Sequence, residues 1–256
     1  MLAAFIFTFG AVIGSFLNAV LWRLHSGASI VHGRSQCPSC GHALGVRDLV
    51  PILSWLSLRG RCRYCAKGIG ASYVIIELVT GAALVLAAHT VLSAAPATGT
   101  MLAQLLLYWY ALATLIVVFV FDLRHMLILR VVTTPAIILL ALGNLALGMS
   151  PYSVALGMAF GAGFFWLQFA LSKGKWIGGG DIHLGALMGA LLGWPMTLAA
   201  VFLAYMVGAV YGIAALSVGR ARMKSEIPFG TFLSIAAAVM LLWGHRILGW
   251  YMGLLV

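Results

Sequence analysis

The sequence predicts an all-α polytopic membrane protein with about eight transmembrane helices and a small loop domain inserted between the first two. Three observations predict it. Of 256 residues, 63% are hydrophobic and 8% charged, against about 25% charged in an average soluble domain. Several apolar runs reach the roughly 20 residues a helix needs to cross the hydrocarbon of a bilayer. All four cysteines crowd into one polar connection, between positions 37 and 65, which points to a separately folded insert.

Taken in order, the apolar runs are residues 2–22, 73–93, 101–121, 131–148, 153–171, 182–193, 196–218 and 229–250, the sixth being short. The first run lacks a basic leader and a small-residue cleavage site, so it reads as a retained span rather than a signal peptide. The charges between the runs alternate. Fourteen of the fifteen Lys and Arg residues lie in the odd-numbered connections: within 23–67, at Arg124 and Arg130, at Lys173 and Lys175, and within 220–224. Arg246 stands apart. By the positive-inside rule these connections are cytoplasmic and the amino terminus faces outward, which for a bacterial inner-membrane protein, as the resemblance below implies, is the periplasm. The formal charge of +10 is therefore mainly a signal of orientation, with attraction to anionic lipid as a secondary effect. No aromatic and basic module for nucleic acid accompanies it.

The chain divides into a first transmembrane helix (1–22), an insert (23–72) and a larger transmembrane domain (73–256). The insert carries Cys37-Pro38-Ser39-Cys40 and Cys62-Arg63-Tyr64-Cys65. Two such knuckles present four thiolates as a tetrahedral structural zinc requires, with His42 as a spare ligand. The same cysteines also fit a redox pair or unrelated free thiols, but a reducing cytoplasm disfavours structural disulfides. A loop with so little apolar mass needs the metal to fold. Residues 49–58 between the knuckles are too few to span, and are expected on the bilayer surface or against the bundle.

Only five acidic residues occur: Asp48, Glu77, Asp122, Asp181 and Glu226. An ionisable group at a membrane boundary is costly enough to be retained mainly for function. Gly178-Gly179-Gly180-Asp181 puts a carboxylate at the start of the sixth run, and Asp122 ends the third. Two complete crossings separate them, so both emerge on the cytoplasmic side at similar depth. Neighbouring carboxylates in a poorly solvated site share a proton and titrate as a pair. That supplies one base and one acid, as peptide hydrolysis requires.

Plainer alternatives stand beside this. Asp122 can pair with Arg124 or Lys175 as an anchor. A proton-coupled transporter would use the same acids as a relay, although transporters tend to place acids near the midplane and to show repeated halves, and no repeat is evident. His125 and His183 flank the acids, either tuning them or pointing at headgroups. Gly10 and Gly14, Gly157 and Gly161, and Gly185, Gly189 and Gly193 form small-residue faces that mark close helix packing. The last set brings Asp181 towards its partner helix.

In their joint order, and over nearly the whole chain, these motifs resemble the bifunctional type IV prepilin leader peptidases. The resemblance rests on Gly14-Ser15-Phe16-Leu17-Asn18 and on the two Cys-x-x-Cys pairs flanking Asp48-Leu49-Val50-Pro51-Ile52-Leu53-Ser54-Trp55. It continues through Arg59-Gly60-Arg61-Cys62, Tyr73 and Glu77, and Asp122 opening a D-x-x-H-x-L stretch. It ends with Gly-x-Gly-Asp at 178–181 and Pro228-Phe229-Gly230. It implies a multi-pass inner-membrane aspartic protease in which Asp122 and Asp181 are catalytic and Gly178 and Gly180 support the loop. Its substrates would be type IV prepilins or type II secretion pseudopilins, cut after a glycine at the cytoplasmic face.

The resemblance also implies methyl transfer from S-adenosylmethionine to the exposed amino group. That activity belongs to the amino-terminal portion and its loop, with zinc on Cys37, Cys40, Cys62 and Cys65, and Gly70 and Glu77 match positions associated with it. A carboxylate there can take the proton of the amine, though Glu77 is equally well placed as a buried structural acid paired with Arg or Lys. The chain departs from the family pattern at Ala71, Ser72 and Val74, at Leu129 and Arg130, and at His183. The first group leaves a peptidase without methyl transfer as the alternative.

Overall fold

Long apolar runs interrupted only at glycine, proline and charged residues fold as helices, because in hydrocarbon each backbone N–H and C=O must be satisfied within its own segment. The computed structural model describes residues 1–30, 32–94, 99–219 and 227–254. The basic connection expected at 220–224, and Glu226 beside it, lie outside the described residues. The helices are α1 (Leu2–Ser26), α2 (Leu53–Ser57), α3 (Ser72–Ala94), α4 (Met101–His125), α5 (Arg130–Ala146), α6 (Pro151–Ser172), α7 (Gly179–Leu192), α8 (Met196–Ser217) and α9 (Phe229–Gly253). Among the described residues no strand forms.

Six helices are long and apolar enough to cross a membrane: α1, α3, α4, α6, α8 and α9. The expectation of eight spans is met in length by these six. α5 and α7 are apolar but have 17 and 14 residues, which rise about 26 and 21 Å against a hydrocarbon core of about 30 Å. Their short starts have local causes. α4 is ended by Met126 in the left-handed conformation (φ 52°), Leu129 is extended before α5, and Gly178 is extended before α7.

The chain forms two compact units, residues 1–89 and 90–256. In the first, α1 and α3 touch backbone to backbone. A Cβ added at Gly10 would lie 2.8 Å from the Gly81 Cα, and one at Gly14 would lie 2.7 Å from the Glu77 Cα. Asn18, on the buried face of α1, donates from Nδ2 to the Tyr73 carbonyl at 3.0 Å.

In the second unit α6 and α7 make the tightest pair. A side chain on Gly161 would run into the Gly185 carbonyl, and one on Gly189 into the Gly157 backbone. The expected glycine faces are thus the α6–α7 contact, with antiparallel register, and the face of α7 serves α6 rather than the helix carrying Asp122. α5 and α9 each pack on both α4 and α7. Asn144 of α5 donates to the Ala190 and Leu191 carbonyls at 2.8 and 2.9 Å, satisfying acceptors that the end of α7 leaves open. Phe165, Leu184, Leu187, Met188 and Leu233 fill the core of this unit.

The α6–α7 contact leaves no room for a methyl group. Gly161→Ala is expected to lower stability by about 1–3 kcal/mol, the usual cost of overpacking, and thermal melting of the detergent-solubilised chain measures it. A melt equal to the parent's would show that the helices can separate at no cost.

Candidate functional site

Asp122 lies in the last turn of α4 and Asp181 in the first turn of α7, both buried. The Oδ2 of Asp122 accepts the Thr231 backbone N–H at 2.8 Å and the Thr231 hydroxyl at 3.2 Å. Thr231 is the third residue of α9, where the backbone N–H has no partner within its own helix. Thr231, not Arg124 or Lys175, therefore supplies the partners of Asp122. The Oδ2 of Asp181 accepts the Gly178 N–H at 3.0 Å, the backbone half of a capping box. Each carboxylate is thus held by a helix amino terminus, where partial positive charge favours an anion. The two acids lie within electrostatic reach of one another.

Ile128, in the turn between α4 and α5, explains the glycines around the acids. A Cβ on Gly180 would lie 2.7 Å from the Ile128 Cβ. One on Gly230 would lie 2.8 Å from the Ile128 Cδ1 and 2.9 Å from the Asp122 Oδ2. The same side chain thus fills the space beside both acids. Thr231 and Ile128 escaped the sequence reading. Pro228-Phe229-Gly230 marked a helix start, and the free N–H groups at any such start are the signal that could have found Thr231. Of the flanking histidines, His183 Nδ1 lies 3.2 Å from the Gly179 carbonyl, and His125 packs on Phe121 with ring centroids 4.7 Å apart.

The first unit holds the four cysteines. Their Sγ atoms all lie within 4.8 Å of one another, and any of the four can offer a metal ligand. The Cys37 and Cys65 sulfurs are 3.9 Å apart, where a tetrahedral zinc with Zn–S bonds of about 2.3 Å needs roughly 3.8 Å. The two knuckles repeat one geometry. Cys37 N–H donates to the His42 carbonyl and Cys62 N–H to the Lys67 carbonyl, both at 2.9 Å, and each knuckle closes with one antiparallel bridge, Gln36 to Ala43 and Arg61 to Gly68. Burial pushes the Cys37 thiol up, but the N–H groups of Ser39 and Cys40 and the neighbouring thiols outweigh it and bring it down to about 6. The Lys67 N–H lowers the Cys65 thiol, yet burial and its three thiol neighbours push it up to about 11.

Asp48 ties the insert together. It accepts from the Arg63 guanidinium at 2.7 Å, the Tyr64 hydroxyl at 3.0 Å and the Gly45 N–H at 3.1 Å. The Arg63 hydrogen bond leads in holding its carboxyl below the usual carboxylate range. Glu77, buried on α3, accepts the Ile52 N–H at 2.7 Å. Its partner is therefore a backbone amide rather than Arg or Lys. Ile52 has φ 64°, a conformation costly for a β-branched residue, so the Glu77 carboxylate pins a strained turn. Trp55 donates from Nε1 to the Ile69 carbonyl at 3.1 Å, which lays residues 49–58 on their own unit. Gly70 and Glu77 both line one cavity of about 220 Å³, together with Asn18, Trp22, Trp55 and Tyr73.

The architecture defines a class: an all-helical, multi-pass membrane protein that buries two carboxylates among its helices and carries a separate four-thiol centre. Residues 8–91 match the Bacterial Peptidase A24 N-terminal domain, and residues 109–213 match the Type IV leader peptidase family. The chain belongs to the Type IV leader peptidase family. It is 34% identical to the prepilin leader peptidase/N-methyltransferase of Aeromonas salmonicida, over 96% of this chain and 92% of the relative. It is 33% identical to the protein of that name from Bacillus subtilis, over 96% of each. The corresponding Pseudomonas aeruginosa protein is 32% identical over 95% of this chain and 91% of the relative. No solved structure matches the chain.

Two outcomes test the geometry. Thr231→Val removes one donor from a buried carboxylate, so, on the catalytic role proposed below for that acid, kcat/KM for leader cleavage should fall about ten- to a hundredfold, with recovery in Thr231→Ser. For Asp48 the folded carboxyl sits below its unfolded value, so the stabilisation is complete above about pH 4 and drains away as pH falls through the folded value. With the Arg63 side chain 45% exposed the effect is modest. Limited proteolysis of the insert against pH should show this slope in the parent and a shallower one in Asp48→Asn, where only the loss of the thiol centre remains.

Proposed function

We propose that the chain is a membrane aspartic endopeptidase. It removes the leader of type IV prepilins or type II secretion pseudopilins at the cytoplasmic face of the inner membrane and N-methylates the new amino terminus. The observation that carries the reading is the pair of buried carboxylates, each gripped at one oxygen by a helix amino terminus and each within reach of the other's charge. Membership of the leader peptidase family supports it and displaces the transporter alternative. Alternation of basic connections supports the orientation, with the acids on the cytoplasmic side.

In the cleavage step the ionised carboxylate of the pair takes a proton from water, which attacks the scissile carbonyl. The protonated partner donates to the carbonyl oxygen and then to the leaving nitrogen. Thr231 and the Gly178 N–H keep one oxygen of each acid occupied, leaving the other to face the reacting atoms. Gly178 and Gly180 allow the loop to wrap the carboxylate against Ile128 without a side chain in the way.

Residues 23–72 are assigned as the cytoplasmic, methyltransferase-associated domain, residues 1–22 as the first transmembrane helix, and residues 73–256 as the transmembrane peptidase domain. Cys37, Cys40, Cys62 and Cys65 would hold a structural zinc, whose spacing the sulfurs match. S-adenosylmethionine, when bound, supplies an electrophilic methyl group. The cavity lined by Gly70, Glu77 and aromatic rings would be the place for such a donor, where Glu77 would orient the amine and accept its proton. Ala71, Ser72 and Val74 favour a second reading, a peptidase without methyl transfer.

Mass analysis of a prepilin incubated with the purified chain and the methyl donor separates these readings. The parent should release the leader and leave a methylated terminus. Asp122→Ala and Asp181→Ala should each abolish leader removal while inserting normally, and full cleavage by either would end the two-acid assignment. Glu77→Gln should cleave without methylating. Stripping the metal with a chelator should release zinc and open the insert to protease. Acid should do the same, since metal binding requires the thiols to lose their protons.

A further inference from the structure

One buried side-chain polar atom among the described residues has no hydrogen-bond partner: the Nε2 of Gln168 on α6. A buried amide donor left unpaired is destabilising. The other end of the amide is engaged: the Tyr205 hydroxyl donates to the Gln168 Oε1 at 2.8 Å. The acceptor half of the amide is taken and only a donor remains. This selects an acceptor, as a peptide carbonyl provides.

The position of this donor links it to the acids. Gly157, Gly161, Phe165 and Gln168 follow the three- and four-residue spacing of one helix face. On that face Gly161 meets Gly185 and Gly157 meets Gly189. Continuing the antiparallel register brings Gln168 level with Gly178, whose N–H holds Asp181. Tyr205 of α8 closes the other side. Its ring packs on Phe229 with centroids 4.8 Å apart, two residues before Thr231, the partner of Asp122. It also lies within electrostatic reach of Asp181. Phe165 joins the same group, with its centroid 6.2 Å from that of Phe229.

We propose that Gln168, oriented by Tyr205, is a substrate-positioning residue. It donates from Nε2 to a main-chain carbonyl of the peptide drawn beside Asp181, on the α6–α8 side of the acid pair. The proposal rests on the endopeptidase reading and deepens it. It assigns a backbone-reading contact, which tolerates variation in the side chains of the substrate while fixing the register of the strand. Removing it costs binding, because the contact is made in the ground state and retained through the reaction.

The test uses the full chain in detergent with a prepilin peptide. Gln168→Leu should raise KM about five- to tenfold, the range for one lost hydrogen bond, with the effect falling on KM rather than kcat. On an Asp181→Asn background, which does not turn over, the dissociation constant of the same peptide should rise by the same factor. The variant should melt no lower than the parent, since it deletes an unpaired donor. Tyr205→Phe, which frees the amide to rotate, should raise KM about two- to threefold. Unchanged KM and affinity in Gln168→Leu, or a lowered melting temperature with affinity intact, overturns the proposal while leaving the endopeptidase reading in place. A fall in kcat with a shifted pH profile would mean that Gln168 acts through Asp181, and also overturns it. A parent that binds the peptide but does not cleave it overturns both.

Discussion

The structure of the second unit depends on one constraint: two carboxylates placed among apolar helices must find donors without water. The bundle meets it at helix amino termini, the positions where helical backbone carries N–H groups to spare. α7 begins at Asp181 and folds its own first turn back onto it through Gly178. α9 begins beside Asp122, more than a hundred residues away in sequence, and presents both the amide and the hydroxyl of Thr231 to a single oxygen. Lys and Arg are not needed for this, and among the described residues both acids take their hydrogen bonds from Thr231 and Gly178 rather than from a cation.

Space follows from the same arrangement. For two helix starts and the end of α4 to approach the turn after α4, the positions facing Ile128 must lack side chains, and Gly180 and Gly230 lack them. Further along α7, Gly185 and Gly189 let α6 close on it, which fixes the axis from which Asp181 projects. α5 and α9 then lie against both α4 and α7, so the separation of the acids is set by helices that carry neither of them. A short α7 suits this role, because its amino-terminal turn can sit inside the bundle instead of at the headgroups.

The first unit solves a different problem, that of ordering a polar insert of small apolar mass. Its means are repetition and anchoring. Two knuckles with the same backbone hydrogen bonds bring four sulfurs together, Asp48 joins the second knuckle to the turn at Gly45, and Glu77 reaches from α3 to the amide of the left-handed Ile52. Glu77 thereby has a structural duty as well as a place on the cavity wall, the two options that a lone buried acid leaves open when only its sequence is known.

Helical class, the four cysteines that cluster and the two acids that are buried were all legible in the sequence, because each is written in local statistics. Hydropathy sums over twenty neighbouring residues, a Cys-x-x-Cys knuckle spans four, and an aspartate in an apolar run is conspicuous where it stands. Charge alternation along the connections put the two remote acids on one side of the membrane, and the family motifs added their shared role as a resemblance. Tertiary structure alone decided that Thr231 holds Asp122, that Ile128 fills the gap beside both acids, that the glycine face of α7 belongs to α6, and that Gln168 is left with an unpaired donor. Each of these is a distance between segments remote along the chain, and such distances are set by how whole helices pack, which no short stretch of sequence encodes.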